Sequence, residues 1–180
     1  MVRTKTRDEI IAVAAELFSR AGFKGTSLHD IAAGVGCSKA TLLYHFDSKE
    51  AILAALIAPA AAELAELDTR LAVLGGAARQ EAAIDGFVDL VLRYSREAGI
   101  IYYGSQDVLC SPPFAEVKPL IDNLCAAFAA GATDPADQIA AEVVLAGISS
   151  VAIGKPDDAV LRSALVAVAK RALLTPPMKD

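Results

Sequence analysis

The sequence predicts an all-α protein in which a small N-terminal helix-turn-helix unit precedes a larger helical bundle. Three observations carry this expectation. Apolar residues recur at i, i+3 and i+4 through most of the 180 residues, the period of an amphipathic helix. No stretch shows the period-two alternation of a half-buried strand. Glycine and proline punctuation at Gly22, Gly34, Gly36, Gly75-Gly76, Gly99, Pro112-Pro113 and Gly154 divides the chain into helix-sized lengths.

The first helix is expected from a Thr6/Glu9 capping box, with Ile10, Ile11, Ala14, Leu17, Phe18 and Ala21 on one face and Gly22 at its end. Residues 1–5 are expected as an arm. Thr26 or Ser27 caps a second helix, Ser27 with Asp30 making another capping box, and Leu28, Ile31, Ala32 and Val35 form its apolar stripe. Gly34 and Gly36 are read as the turn, because glycine reaches positive φ without a Cβ clash. Ser38 caps a third helix that turns Leu42 and Phe46 inward at i, i+4 and leaves Lys39, Ala40, Thr41, Leu43, Tyr44 and His45 outside. This is the layout of a helix-turn-helix whose second helix enters a DNA major groove. An ordinary helical hairpin would not require such a cluster of exposed Lys, Thr, Tyr and His. The shared core is expected to hold Ile11, Leu17, Phe18, Phe23, Leu28, Ile31, Val35, Leu42 and Phe46. Three short helices alone are marginal, so the next helix, from Asp47 to about Leu74, must complete them. Pro59 falls inside it and removes one hydrogen bond.

Further helices are expected over about 79–98, 114–130, 135–153 and 157–174, with a short aromatic stretch from Ile100 to Leu109. Gly99 is read as the end of the first of these, and Asp134 with Pro135 is a favoured helix start. The division expected from these signals is 1–50 and 51–180.

Composition narrows the function. With 54% hydrophobic residues the chain can bury a large core and an interface as well. Its alanine-rich runs are broken by Glu, Asp, Arg or Pro, so no membrane span is expected. The start, MVRTKTRDEI, lacks the apolar region of a signal peptide, so a cytoplasmic location is expected. Three widely spaced cysteines form neither a disulfide framework nor a zinc site, and no metal or cofactor is expected. The net charge of −5 is unevenly spread. Residues 1–55 carry 7 Lys/Arg against 6 Asp/Glu, whereas residues 56–180 carry 10 against 16. Arg3, Lys5 and Arg7 place positive charge at the N-terminus. A locally basic head on an acidic body suits specific DNA binding with little non-specific affinity.

The run AAELFSRAGFKGTSLHDIA, followed by a turn and SKATLLYHFDSKEAIL, resembles the DNA-binding domain of the tetracycline-repressor (TetR) family of bacterial transcription regulators. Gly22-Phe23 and Thr26-Ser27 fit the family's Gly-aromatic pair and cap, and Leu42 to Glu50 fit its closing pattern. Leu43 departs from the usual Tyr, and Cys37 from the usual Val. Beyond residue 55 only the architecture is similar. The resemblance implies a C-terminal helical bundle for ligand binding and dimerisation. It also implies a ligand-released repressor acting as a homodimer, through its last two helices, on a palindromic double-stranded operator.

The residues expected at DNA are Thr26, Ser27, Lys39, Ala40, Thr41, Tyr44, His45 and Lys49. Lys39 and Thr41 are placed to reach base edges, Ala40 is small enough to admit a thymine methyl, and the others face phosphates. A small hydrophobic or aromatic ligand is expected near Phe87, Tyr94, Tyr102, Tyr103, Gln106, Phe114, Asn123 and Phe128, an aromatic group with a few hydrogen-bonding members. Arg93 and Arg96 are expected to pair with Glu97 and Asp89 on their own helix, the alternative being an acidic ligand. The faces Ile139, Val143, Val144, Gly147, Ile148, Val151 and Leu161, Ala164, Leu165, Val168, Ala169, Ala172, Leu173 mix small and branched residues, which lets two hairpins pack as a four-helix bundle. Both histidines, His29 and His45, lie in the DNA-reading part, which leaves the downstream cysteines and serines without a histidine base. An enzyme is therefore not expected. The alternative is a helix-turn-helix or adaptor protein with no small-molecule inducer.

Overall fold

The structure, a computed structural model, describes residues 2–103, 108, 110–153, 155 and 159–174, with side chains from Thr6 onward. Among these residues there are nine helices and no strand: α1 (Val2–Gly25), α2 (Leu28–Val35), α3 (Lys39–His45), α4 (Lys49–Ala72), α5 (Gly76–Arg93), α6 (Ser95–Tyr102), α7 (Pro112–Phe128), α8 (Pro135–Ala152) and α9 (Ala159–Leu174). The chain groups into two compact units, one of residues Met1–Pro59 with Gly99–Val117, the other of Ala60–Ala98 with Lys118–Asp180. No helix among the described residues is long and apolar enough to cross a membrane.

In the first unit α1 begins at Val2, ahead of the expected Thr6 cap, so the backbone of the expected arm is helical. Gly22, at φ 74° and ψ 164°, interrupts the helix in a conformation that L side chains rarely adopt. The core is built from Ile10, Ala14, Ala15 and Phe18 of α1, Phe23, Ile31 and Ala32, Leu42 and Phe46, and Ile52, Leu53, Leu56 and Ile57 of α4. Ile11, Leu17, Leu28 and Val35, expected at its centre, are partly buried at its margin. Ile100 and Val108 are buried in the same cluster.

Gly34 has a different role from the one its spacing implies. It lies within α2, where an added Cβ would come within 2.7 Å of Val13 Cγ1. Its missing side chain lets α2 lie close on α1. The turn belongs to Gly36, in the left-handed region at φ 75° and ψ 28°, whose N–H closes the end of α2.

In the second unit α5 is the shared partner, packing on both α8 and α9, which also pack on each other. Ile84, Phe87, Val88 and Val91 of α5 are buried, as are Leu64, Leu67 and Leu71 of α4. Two ion pairs hold the flank of α5 on α9: Lys170 Nζ donates to Asp85 at 2.8 Å, and Arg162 makes a two-pronged contact with Asp89 at 2.5 and 2.9 Å. Gln80 is buried and donates to the Phe128 carbonyl at 2.6 Å.

The helix expected over 79–98 instead breaks at Tyr94, and α6 runs on through Gly99 to Tyr102. The cause is tertiary. Arg93 donates to Glu63 on α4 at 2.7 Å, and Tyr94 hydrogen-bonds the same carboxylate. Arg93 thus pairs across helices rather than with Asp89, which Arg162 occupies. Gly154 and Asp157, expected at helix ends, lie outside the described residues. Pro119 sits inside α7 and leaves one backbone carbonyl without its helical donor.

At Gly86, α5 passes so near α4 that an added Cβ would lie 2.5 Å from Leu67 Cδ1. Leu67 is itself buried and has little room to move. Gly86→Val should therefore lower the unfolding free energy by about 1–3 kcal/mol, the scale for overpacking a filled core. Denaturant titration of the purified chain measures this, and an unchanged midpoint would contradict it.

Candidate nucleic-acid interface

Local rules build the reading surface. Ser27 is the N-cap of α2: its hydroxyl accepts from Asp30 N at 3.2 Å, while the Asp30 carboxylate accepts from Ser27 N at 2.8 Å. This is a reciprocal capping box. Hydrogen bonds from the Ser27 hydroxyl, then from its backbone N–H, hold the Asp30 carboxyl below the usual aspartate range. Ser38 caps α3 by accepting from Thr41 N at 3.0 Å, and its hydroxyl also lies 2.9 Å from Thr41 Oγ1. Ser48, not Asp47, caps α4, accepting from Ala51 N at 3.1 Å.

The eight residues expected at DNA fall into two groups. Ser27, Lys39, Ala40, Thr41 and Tyr44 are exposed and His45 is half-buried, with the Tyr44 and His45 rings edge-to-face at 5.4 Å. Thr26 and Lys49 are turned inward. Thr26 is buried and its hydroxyl donates to the Gly22 carbonyl at 2.9 Å. Lys49 Nζ donates to the Phe23 carbonyl at 2.6 Å and the Thr26 carbonyl at 2.8 Å, and lies 4.3 Å from the centre of the Phe23 ring. The amine thus straps the α1–α2 connection to the start of α4. Such a role is not legible in the sequence, because the partners are backbone carbonyls 23 and 26 residues away. Arg7, read only as arm charge, stacks its guanidinium 4.9 Å from the centre of the Phe46 ring.

The residues expected at a ligand divide between the two units. In the second, Phe87 and Phe128 are buried and pack edge-to-face at 5.7 Å. Tyr94 is half-buried and Asn123 exposed. Burial, then the hydrogen bond to Glu63, pushes the Tyr94 phenol above its ordinary value. In the first unit Tyr102 and Tyr103 are exposed and meet edge-to-face at 5.2 Å, and Phe114 is half-buried. Gln106 lies outside the described residues.

These features define an all-α protein whose N-terminal unit carries a capped helix-turn-helix. Residues 10–56 match the family described as "Bacterial regulatory proteins, tetR family". Residues 10–56 are thus a DNA-binding domain of the TetR-family type. The biofilm operon icaADBC negative transcriptional regulator IcaR of Staphylococcus aureus is 54% identical over 46 residues, 26% of this chain and 25% of IcaR. The transcriptional regulator RutR of Escherichia coli K12 is 36% identical over 119 residues, 64% of this chain and 51% of RutR. The matches thus span about a quarter and about half of these relatives' lengths. The crystal structure of AibR in complex with isovaleryl coenzyme A and operator DNA superposes with a TM-score of 0.67 at 22% identity, covering 93% of this chain and 98% of AibR, which shows a shared fold.

Two outcomes follow from the local geometry. Lys49→Met should lower stability by about 1–3 kcal/mol, the range for hydrogen bonds from a charged donor, read by chemical denaturation; a neutral result would remove the strap. Asp30 supplies a pH signature. Its lowered value means its contribution is present above the ordinary aspartate range and is lost as pH falls through the lowered value. The stability gap between the natural chain and Asp30→Ala should therefore be widest near neutrality and shrink in acid. A gap independent of pH would refute this.

Proposed function

We propose that the chain is a homodimeric transcription regulator of the cytoplasm that binds a palindromic double-stranded DNA operator as a repressor and is released by a small hydrophobic or aromatic ligand. The observation that carries the reading is α3, capped by Ser38 and anchored through the buried Leu42, with Lys39, Ala40, Thr41 and Tyr44 all exposed on one short helix. In this reading Lys39 and Thr41 reach base edges, while Ser27, Tyr44 and His45 meet phosphates. Thr26 and Lys49 hold the connection that presents them. Residues 1–50 then form the reading head and 51–180 the sensing and dimerising part.

Dimerisation is supported by two-sided helices. On α8 and α9, Ile148, Leu165 and Ala169 are buried, yet Val143 is 64%, Val160 77% and Val168 60% exposed. One face serves the protomer's own core and a second apolar face is left for a partner copy, which sets the two reading heads at paired half-sites. In this reading the ligand binds in the second unit near Tyr94, whose half-buried phenol hydrogen-bonds Glu63, and the buried Phe87 of the same helix region. The ligand lowers DNA affinity by the difference in its own affinity for the two states. The fold shared with AibR, whose structure holds isovaleryl coenzyme A and operator DNA together, accommodates both a small molecule and DNA in that protein. The reading without an inducer draws on one feature, the direct packing of Phe87 on Phe128, which is what a filled core looks like. No catalytic step is assigned. Burial, then the Asp122 and Glu142 carboxylates, pushes the Cys125 thiol up and away from the reactive thiolate.

The double substitution Val143→Asp with Val168→Asp should give a folded monomer by sedimentation and lower affinity for the promoter DNA upstream of its own gene at least tenfold, on the order of one lost half-site contact or more. Equal operator binding by that monomer would defeat the dimer reading. A ligand at 100 times its dissociation constant should stabilise the fold by about 2.7 kcal/mol in a thermal-shift screen, and a true inducer must also release the DNA.

A further inference from the structure

We infer that α3 reads thymine through its 5-methyl group, with Leu43 and Ala40 as the specificity-determining contacts, an inference that rests on the DNA-binding reading above. At about 3.6 residues per turn, the burial of Leu42 places Ala40, Leu43 and Tyr44 on the outward half of the helix, and all three are exposed. Ala40 precedes Leu43 by three residues and Tyr44 by four, the spacings at which helical side chains are neighbours. Together they form one apolar strip, in which Leu43 is 40% and Tyr44 70% exposed.

The polar groups on the same helix are few. Thr41 Oγ1 and Ser38 Oγ lie 2.9 Å apart, and Ser38 Oγ also accepts from Thr41 N, so the cap uses part of the hydrogen-bonding capacity of both hydroxyls. Residues 39–45, KATLLYH, hold no Asn, Gln or Arg, and Lys39 is the one side chain among them able to clasp a guanine edge with two hydrogen bonds. Lys39 supplies one cation at the flank. Apart from Lys39 and Thr41, which in the proposed function reach base edges by hydrogen bonds, the outward face of this helix is apolar. It can recognise an apolar group on a base edge, and the thymine methyl is the apolar group that the major groove displays. An isolated exposed leucine calls for no explanation. Leu43 differs because it is continuous with Ala40 and Tyr44 on the face that meets DNA in the proposed function.

The test is a binding-site selection with the full chain from a randomised duplex pool, run with ordinary DNA and with DNA in which deoxyuridine replaces thymidine. The ordinary pool should yield a motif with a fixed thymine in each half-site. Deoxyuridine there should weaken binding about fourfold per methyl, and on the order of fifteenfold for two half-sites, as expected for one buried methyl group each. Leu43→Ala, at an exposed position and with an unchanged melting temperature, should discriminate the thymine from the deoxyuridine duplex less than the natural chain does, Ala40 keeping the remainder. Equal binding of both duplexes by the natural chain overturns the inference, as does discrimination that is undiminished in Leu43→Ala. No enriched sequence in either pool would instead defeat the DNA-binding reading, and this inference with it.

Discussion

Two helices of 8 and 7 residues are far too short to persist in water by themselves, and the reading head depends on how that deficit is made up. Caps satisfy their ends: Ser27 with Asp30 and Gly36 for α2, Ser38 for α3. Burial of Ile31, Ala32, Leu42 and Phe46 then fixes their faces against α1 and the first turns of α4. Nucleation is unfavourable for each helix alone, so the unit must form together.

Lys49 illustrates the same dependence from the other side. The connection between α1 and α2 presents two carbonyls, of Phe23 and Thr26, and the amine at the start of α4 donates to both. The cation also lies over the Phe23 ring, whose other neighbour is Phe18 at 5.1 Å. One side chain thus joins the start of α4, the connection and the core. In the second unit the comparable role falls to α5, held against α9 by paired charges and against α4 by the absence of a side chain at Gly86. The exposed valines of α8 and α9 lie outside that scheme, and the proposed second copy rests on them.

Much of the architecture was legible because short-range physics controls it. The Ser27–Asp30 box, the Ser38 cap, the left-handed Gly36 and the Asp134–Pro135 start of α8 are each decided within four residues, and each appears where the sequence places it. The errors have one source. Gly34 reads as a turn signal, yet its reason is Val13 on another helix. Gly99 reads as a stop, yet α6 continues through it, while the break falls at Tyr94, where no glycine or proline marks it. The inward turn of Lys49 belongs to the same class.

By itself, then, the sequence determined the all-α class, the helix-turn-helix and the composition of its outward face, because periodicity, capping and exposure of polar groups act along one helix. Only the tertiary structure decided which apolar residues are central, which glycines serve close packing, where α5 ends, and which polar side chains look inward. Most of those outcomes depend on partners 19 to 85 residues distant in the chain, from Leu67 and Gly86 to Asp85 and Lys170. Contacts of that range leave no period in a sequence and become visible only when the helices are packed.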